Sequence, residues 1–123
     1  MNVKPNTFIR KAPDSEARRG IVPNSGTIPA LFHTVLRDEP YRHDERELQR
    51  KVHHEMRRRP DLRIENYNIR RSDLLKKLGW GLHADGDGKL AIYGCETEEY
   101  RRLASSSTLR VVDAFRTRRA LER

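Results

Sequence analysis

The chain has a single cysteine, Cys95, in 123 residues, so no internal disulfide can brace it and no cysteine-rich zinc site can form. Long apolar runs are missing too. Nothing approaches the roughly 18 to 20 residues that a membrane span needs, and the opening M-N-V-K-P-N-T-F lacks a signal-type apolar segment. The expected compartment is therefore the cytoplasm. Hydrophobic residues make up 35% of the chain against 36% charged, with one tryptophan, so the core is lean. The length suits one domain, 1–123, built around a single core.

Positive charge is abundant. The formal net charge is +8, and 20 of the 26 cationic residues are arginine. That balance favours an anionic partner, nucleic acid among them, although a genome rich in G and C would spell surface cations the same way. The excess is uneven: between 78 and 100 Lys89 stands alone against Asp85, Asp87, Glu96, Glu98 and Glu99, and the flanks are basic.

The most informative stretch runs from Ser72 to Tyr100. Ser72 is a good helix N-cap, Leu74, Leu75 and Leu78 give a short apolar face, and Gly79 stands where a left-handed residue closes the helix. Trp80, Leu82 and Ala84 alternate with Gly81, His83 and Asp85. After the turn formers Asp85-Gly86-Asp87-Gly88, Leu90 and Ile92 alternate with Ala91 and Tyr93, which predicts a β-hairpin.

Around it, Asn6 to Lys11 reads as a short strand with Phe8 inward, and 14–25 as an ordered loop. Leu31, Phe32, Val35 and Leu36 recur at helical spacing behind Pro29, predicting a helix at 28–38. Asp44 and Glu47 have capping-box spacing and open a predicted helix at 44–58. Leu48, Val52 and Met56 form its buried stripe, and Arg46, Arg50, His53 and Arg57 a solvent-facing basic one. Tyr67 to Arg71 reads as a strand, Thr97 caps a helix to Ala104, and Leu109, Val112 and Phe115 suggest a last helix at 109–121. The expected fold is α+β: a small, mainly antiparallel sheet of three to four strands, with the central hairpin at 79–95, packed against three to four helices.

Eight separated pieces occur in one order: N-T-F-I at Asn6 to Ile9, T-I-P-A at Thr27 to Ala30, Pro40-Tyr41, R-x-S-x-L-x-K at Arg70 to Lys76, G-W-G-x-H at Gly79 to His83, G-K-L-A-I-Y-G at Gly88 to Gly94, E-x-E-Y-x-x-L at Glu96 to Leu103, and A-x-R-x-x-R at Ala114 to Arg119. Together they resemble a family of small, mostly bacterial cytosolic proteins known only as a domain of unknown function. The resemblance runs nearly end to end. It implies a one-domain unit with Arg70, Ser72, Lys76, Trp80, His83, Tyr93, Tyr100, Arg116 and Arg119 at typical positions, and it attaches no activity to them. The chain departs from that pattern at Tyr67 to Leu74, where the family has P-C-L-R-A-S-P-L, and at Leu78, where it has tyrosine.

Two function classes remain open. A binding protein for an anionic partner, nucleic acid included, would use a broad basic face drawn from Arg46, Arg50 and Arg57 with Arg116, Arg118 and Arg119, although Glu45, Glu47 and Glu55 on the same helix can pair with some of these. A small-molecule enzyme or ligand-binding protein would use an anion pocket of Arg70, Lys76, His83 and Tyr93 beside the hairpin. Each has a plainer counterpart in a solvated charged helix face or a sheet histidine bonded to its neighbours. Ser72 is explained by its cap and no G-x-S-x-G elbow surrounds it. Asp85 and Asp87 lack the rest of a calcium loop, and the five histidines with Cys95 match no zinc spacing, so no metal or cofactor is expected.

Overall fold

The computed structural model describes residues 3–117. Four strands form one mixed sheet in the order β3-β2-β1-β4, where β1 is Thr7–Arg10, β2 Trp80–Ala84, β3 Leu90–Gly94 and β4 Arg110–Asp113. The hairpin β2–β3 and the pair β1–β2 are antiparallel, and β4 lies parallel to β1. Register lines up Ile92, Leu82, Ile9 and Val112 as one row across all four strands. That row faces the main core, where it meets Phe32, Val35 and Leu36 of α1 (Ile28–Asp38) and Leu74 and Leu75 of α3 (Asp73–Lys76). Each fully buried leucine there contributes about 1.5–3 kcal/mol.

The neighbouring row, Ala91, His83, Phe8 and Val111, faces the other way. Part of that side is covered by α4 (Glu98–Ala104), capped by the Thr97 hydroxyl and carrying Tyr100 edge-on to Phe8 with ring centroids 5.1 Å apart. The 14–25 loop is tied down as expected. Trp80 Nε1 donates to the Ile21 carbonyl at 2.8 Å, and the Gly20 amide donates to Glu96. Gly79 has φ +81°, and a Cβ there would sit 2.2 Å from the Arg19 carbonyl oxygen, so both backbone and space demand glycine.

Three expectations are corrected. Tyr67 to Arg71 is not a strand: Ile64–Asn66 and Ile69–Arg71 are 3-10 turns. The Ile69 amide goes to the Glu45 carboxylate and the Arg70 amide to the Asn68 side chain, so side chains take the donors a ladder would use.

The helix from the Asp44 capping box stays α-helical only through α2 (Glu45–Gln49) and continues as a π-helix over Arg50–Met56. The bond from the Arg57 amide to the Val52 carbonyl spans five residues and turns the face. Leu48 and Val52 are buried and Arg46 and Arg50 exposed as expected, but His53 goes inside, 3% exposed, and Met56 comes out, so the 3.6-residue stripes stop at Val52.

The expected helix at 109–121 is β4 over Arg110–Asp113 and irregular chain from there to 117; 118–121 lie outside the described residues. The amides of Arg110 and Ala114 donate to the carbonyls of Asn6 and Arg10, filling the outer edge of β1 with a β-branched Val111-Val112 pair.

Candidate functional site

Tyr41 begins just past α1 at φ 57°, a left-handed conformation that a bulky side chain adopts at a cost of about 1–3 kcal/mol. Its amide donates to the Leu90 carbonyl, and the Leu90 amide donates to His43, so the segment fastens the outer edge of β3. The side chain then passes round that edge to the far side of the sheet.

There its hydroxyl lies 2.8 Å from His83 Nδ1 and 2.7 Å from the Tyr93 hydroxyl. The Tyr41 ring stands edge-on to the imidazole. Burial pushes the Tyr41 phenol well above its ordinary range, and the bond to Tyr93 adds to this, so it stays protonated. Burial also holds His83 below the usual histidine value, with Asp85 opposing, so the ring is neutral near pH 7. Two proton orders satisfy the chain: Tyr93 to Tyr41 to Nδ1, or Nδ1 to Tyr41 to Tyr93. In the first, His83 Nε2 carries a proton to donate; in the second it is a lone pair. The arrangement is a hydrogen-bonded chain of three side chains.

It joins two depressions. Tyr93 and Tyr41 border an aromatic groove of about 620 Å³ along the β3 edge, with Trp80, Ile92 and His33. His83 borders a second, about 640 Å³, with Arg102, Ser106 and Thr108 at the end of α4. Arg102 is exposed and makes no ion pair with the described carboxylates, whereas Arg101 pairs with Glu98.

Of the expected pocket, His83 and Tyr93 are brought together through Tyr41. Arg70 is elsewhere: its Nε and Nη2 donate to the Asp113 carbonyl at 2.9 and 2.6 Å, and its guanidinium lies 4.6 Å over the Phe115 ring. Lys76 ends α3 beside a separate cavity bordered by Asp14 and Thr117. The strand that was to carry Arg70 toward His83 does not exist. Tyr41 and Arg102 were not anticipated. The only signal for Tyr41 was the P-Y pair at the end of a helix.

The expected basic face is also taken apart. Arg46 and Arg50 are exposed, but Arg57 is half-buried and donates to His53 Nδ1 at 2.7 Å. Arg116 is exposed beyond β4 with no helix to bring it alongside; Arg118 and Arg119 lie outside the described residues. Glu45 and Glu47 face Ile69 and Lys89 instead of these arginines.

Among the described residues no three His, Cys, Asp or Glu side chains converge to hold a metal ion, and no helix is long and apolar enough to cross a membrane. A family model described as a family of unknown function, DUF6157, matches residues 1–120. No curated protein and no solved structure matches the chain.

Proposed function

The chain belongs to that family, and we propose that it is a non-catalytic cytoplasmic binding protein for a small oxyanion, a carboxylate or phosphate, received in the depression between His83 and the end of α4. The observation that carries this reading is the position of the Tyr41 hydroxyl between His83 Nδ1 and Tyr93. With Nδ1 engaged, Nε2 is the ring nitrogen left for a ligand. A phenol that donates to Nδ1 makes Nε2–H a neutral donor, one that gives a directed bond without the desolvation cost of a buried cation. Arg102 supplies the charge and a planar fork suited to either oxyanion, and the Ser106 and Thr108 hydroxyls, bonded to each other at 3.0 Å, leave one O–H between them. The depression is open, which suits weak binding with Kd of about 1 mM and a guanidinium not already neutralised.

The test is a phosphate and an acetate titration of the full chain labelled with nitrogen-15, reading the His83 ring and the Arg102 Nε signals. Saturable shifts at both, weakened in Arg102→Ala, are expected. No movement at either residue by about 10 mM of both anions ends the reading.

A further inference from the structure

A second groove, about 630 Å³, lies at the N-terminal end of α1, bounded by Phe32 from α1, by Gln49, His53 and Arg57 from the α2 and π-helical segment, and by Tyr67 and Asn68. Gln49 is 3% exposed. Its Nε2 and the Ile69 amide both point to Glu45 Oε2, at 3.4 and 2.7 Å, so that oxygen accepts from both. Gln49 Oε1 is left buried without a hydrogen-bond partner among the described residues. A buried acceptor in that position forfeits its hydration for nothing in return, and such groups are rare enough in folded chains to need an explanation.

Further along the same helical segment the groove carries donors. His53 stacks on Tyr67 with centroids 4.2 Å apart and rings 16° from parallel, and meets Phe32 edge-on. Its Nδ1 accepts from Arg57 Nη1, and since a guanidinium cannot accept, the proton of the neutral ring is on Nε2. That one bond holds Arg57 in place and leaves its other nitrogens unspent. No ion pair joins it to the described carboxylates. The five-residue turn that ends on the Arg57 amide is what brings it to this wall, and π-helical turns of this kind recur at functional sites. Asn68 Oδ1 is used by the Arg70 amide, so its NH₂ is a further donor.

From these groups we infer that the groove binds a small aromatic or heteroaromatic acid: a ring seated against Phe32 and Tyr67, a ring-borne N–H donated to Gln49 Oε1, and a carboxylate or phosphate on Arg57. Each demand comes from a different side chain. The acceptor rejects a ring without a donor, the fork requires the anion, and the apolar walls require the ring. This site shares no residue with the His83 depression, so the two readings stand or fall separately.

The full chain is titrated with indoleacetate, N-methylindoleacetate, indole and adenosine monophosphate, following the Gln49 side-chain amide, the Arg57 Nε and the His53 ring by NMR. Indoleacetate or adenosine monophosphate is expected to shift all three signals, and whichever of the two binds tells a carboxylate from a phosphate ligand. N-methylindoleacetate and indole bind at least about tenfold more weakly than indoleacetate where the carboxylate is taken. Gln49→Met reduces the N–H preference to about twofold or less, and Arg57→Gln weakens either acid about tenfold. Where adenosine monophosphate is the one taken, adenosine replaces indole as the probe without an anion, and Gln49→Met is expected to weaken the nucleotide about tenfold. If neither acid moves the three signals, or if the acid that binds is held equally well after both substitutions, the inference is overturned. The comparison between ligands uses the unaltered protein, so its outcome does not depend on whether a variant folds.

Discussion

Tyr41 reaches round the outer edge of β3 to put its hydroxyl 2.8 Å from Nδ1 of His83, so a residue from the loop after α1 and a residue of the central hairpin share one proton. The same residue is fastened through its backbone to Leu90. Loop and sheet edge are thereby joined twice, once by the main chain and once by the side chain, and the side-chain contact couples the tautomer of His83 to the direction of the Tyr41–Tyr93 bond.

Removing that hydroxyl should cost more than removing its neighbour. Tyr41→Phe leaves both His83 Nδ1 and the Tyr93 hydroxyl without their partner, which predicts a loss of about 1–3 kcal/mol, whereas Tyr93→Phe cuts one bond at the end of the chain and should cost about 1 kcal/mol or less. Urea denaturation measures both. Equal losses would mean that Tyr41 does not act as the bridge.

His53 predicts a pH dependence whose sign can be worked out. Burial first, then the Arg57 and His54 charges, lower its pKa from 6.5 to about 4 in the folded chain. The unfolded chain therefore takes up a proton that the folded one refuses, and stability present above pH 6.5 is lost as pH falls toward 4. The size is about 3 kcal/mol at most. Burial lowers His33 and His83 too, with the same sign; Glu45, raised by burial, acts oppositely, because its folded form binds a proton first as the pH drops. His53→Phe keeps a ring on Tyr67 and should flatten the fall in denaturation free energy between pH 6.5 and 4. An unchanged slope would assign it to other groups.

The local devices were legible in the sequence and the non-local ones were not. Asp85-Gly86-Asp87-Gly88 closes the hairpin because the Asp85 carboxylate accepts from the amides of Asp87 and Lys89, contacts within five residues. Likewise Asp44 and Glu47 make their capping box, and Thr97 its cap. By contrast, Leu109, Val112 and Phe115 fit a helix face as well as a strand, and what decides is Asn6, a hundred residues earlier, offering its carbonyl to Arg110. The π-helix is decided in the same way. No local spacing marks it, and the seat of His53 between Phe32 and Tyr67 accompanies the extra residue per turn. Of the site, alternation found His83 and Tyr93 on one face, but a tyrosine at positive φ cannot be read from its neighbours.

Arg70 is predicted to serve the β4 edge, which it clamps with two bonds to the Asp113 carbonyl and a face-on contact with Phe115. A lysine keeps the charge but has neither the fork nor the flat face, so Arg70→Lys should lose about 1–2 kcal/mol. The loss should be local. Amide exchange at 111–115 is expected to quicken well before the hairpin amides change, and uniform acceleration across the sheet would show that Arg70 supports the whole fold instead.

Gly81 gives the sharpest test of how α4 sits on the sheet. In an open strand position alanine is preferred to glycine, so Gly81→Ala would stabilise if the space above it were free. A Cβ there, however, would lie 2.5 Å from Phe8 Cζ and 2.6 Å from Tyr100 Cε2. Neither ring has room to retreat: Phe8 is fully buried, and the Tyr100 hydroxyl is held by the Lys11 amide at 2.9 Å. Overpacking of this kind costs about 1–3 kcal/mol, which reverses the sign set by strand preference. The two effects separate in a double-mutant cycle. If the clash is the cause, Phe8→Leu should shrink the penalty of Gly81→Ala, giving a favourable coupling of about 1 kcal/mol. Additive losses would place the cost in the backbone, and α4 would then rest on the sheet less closely than the Phe8–Tyr100 edge contact requires.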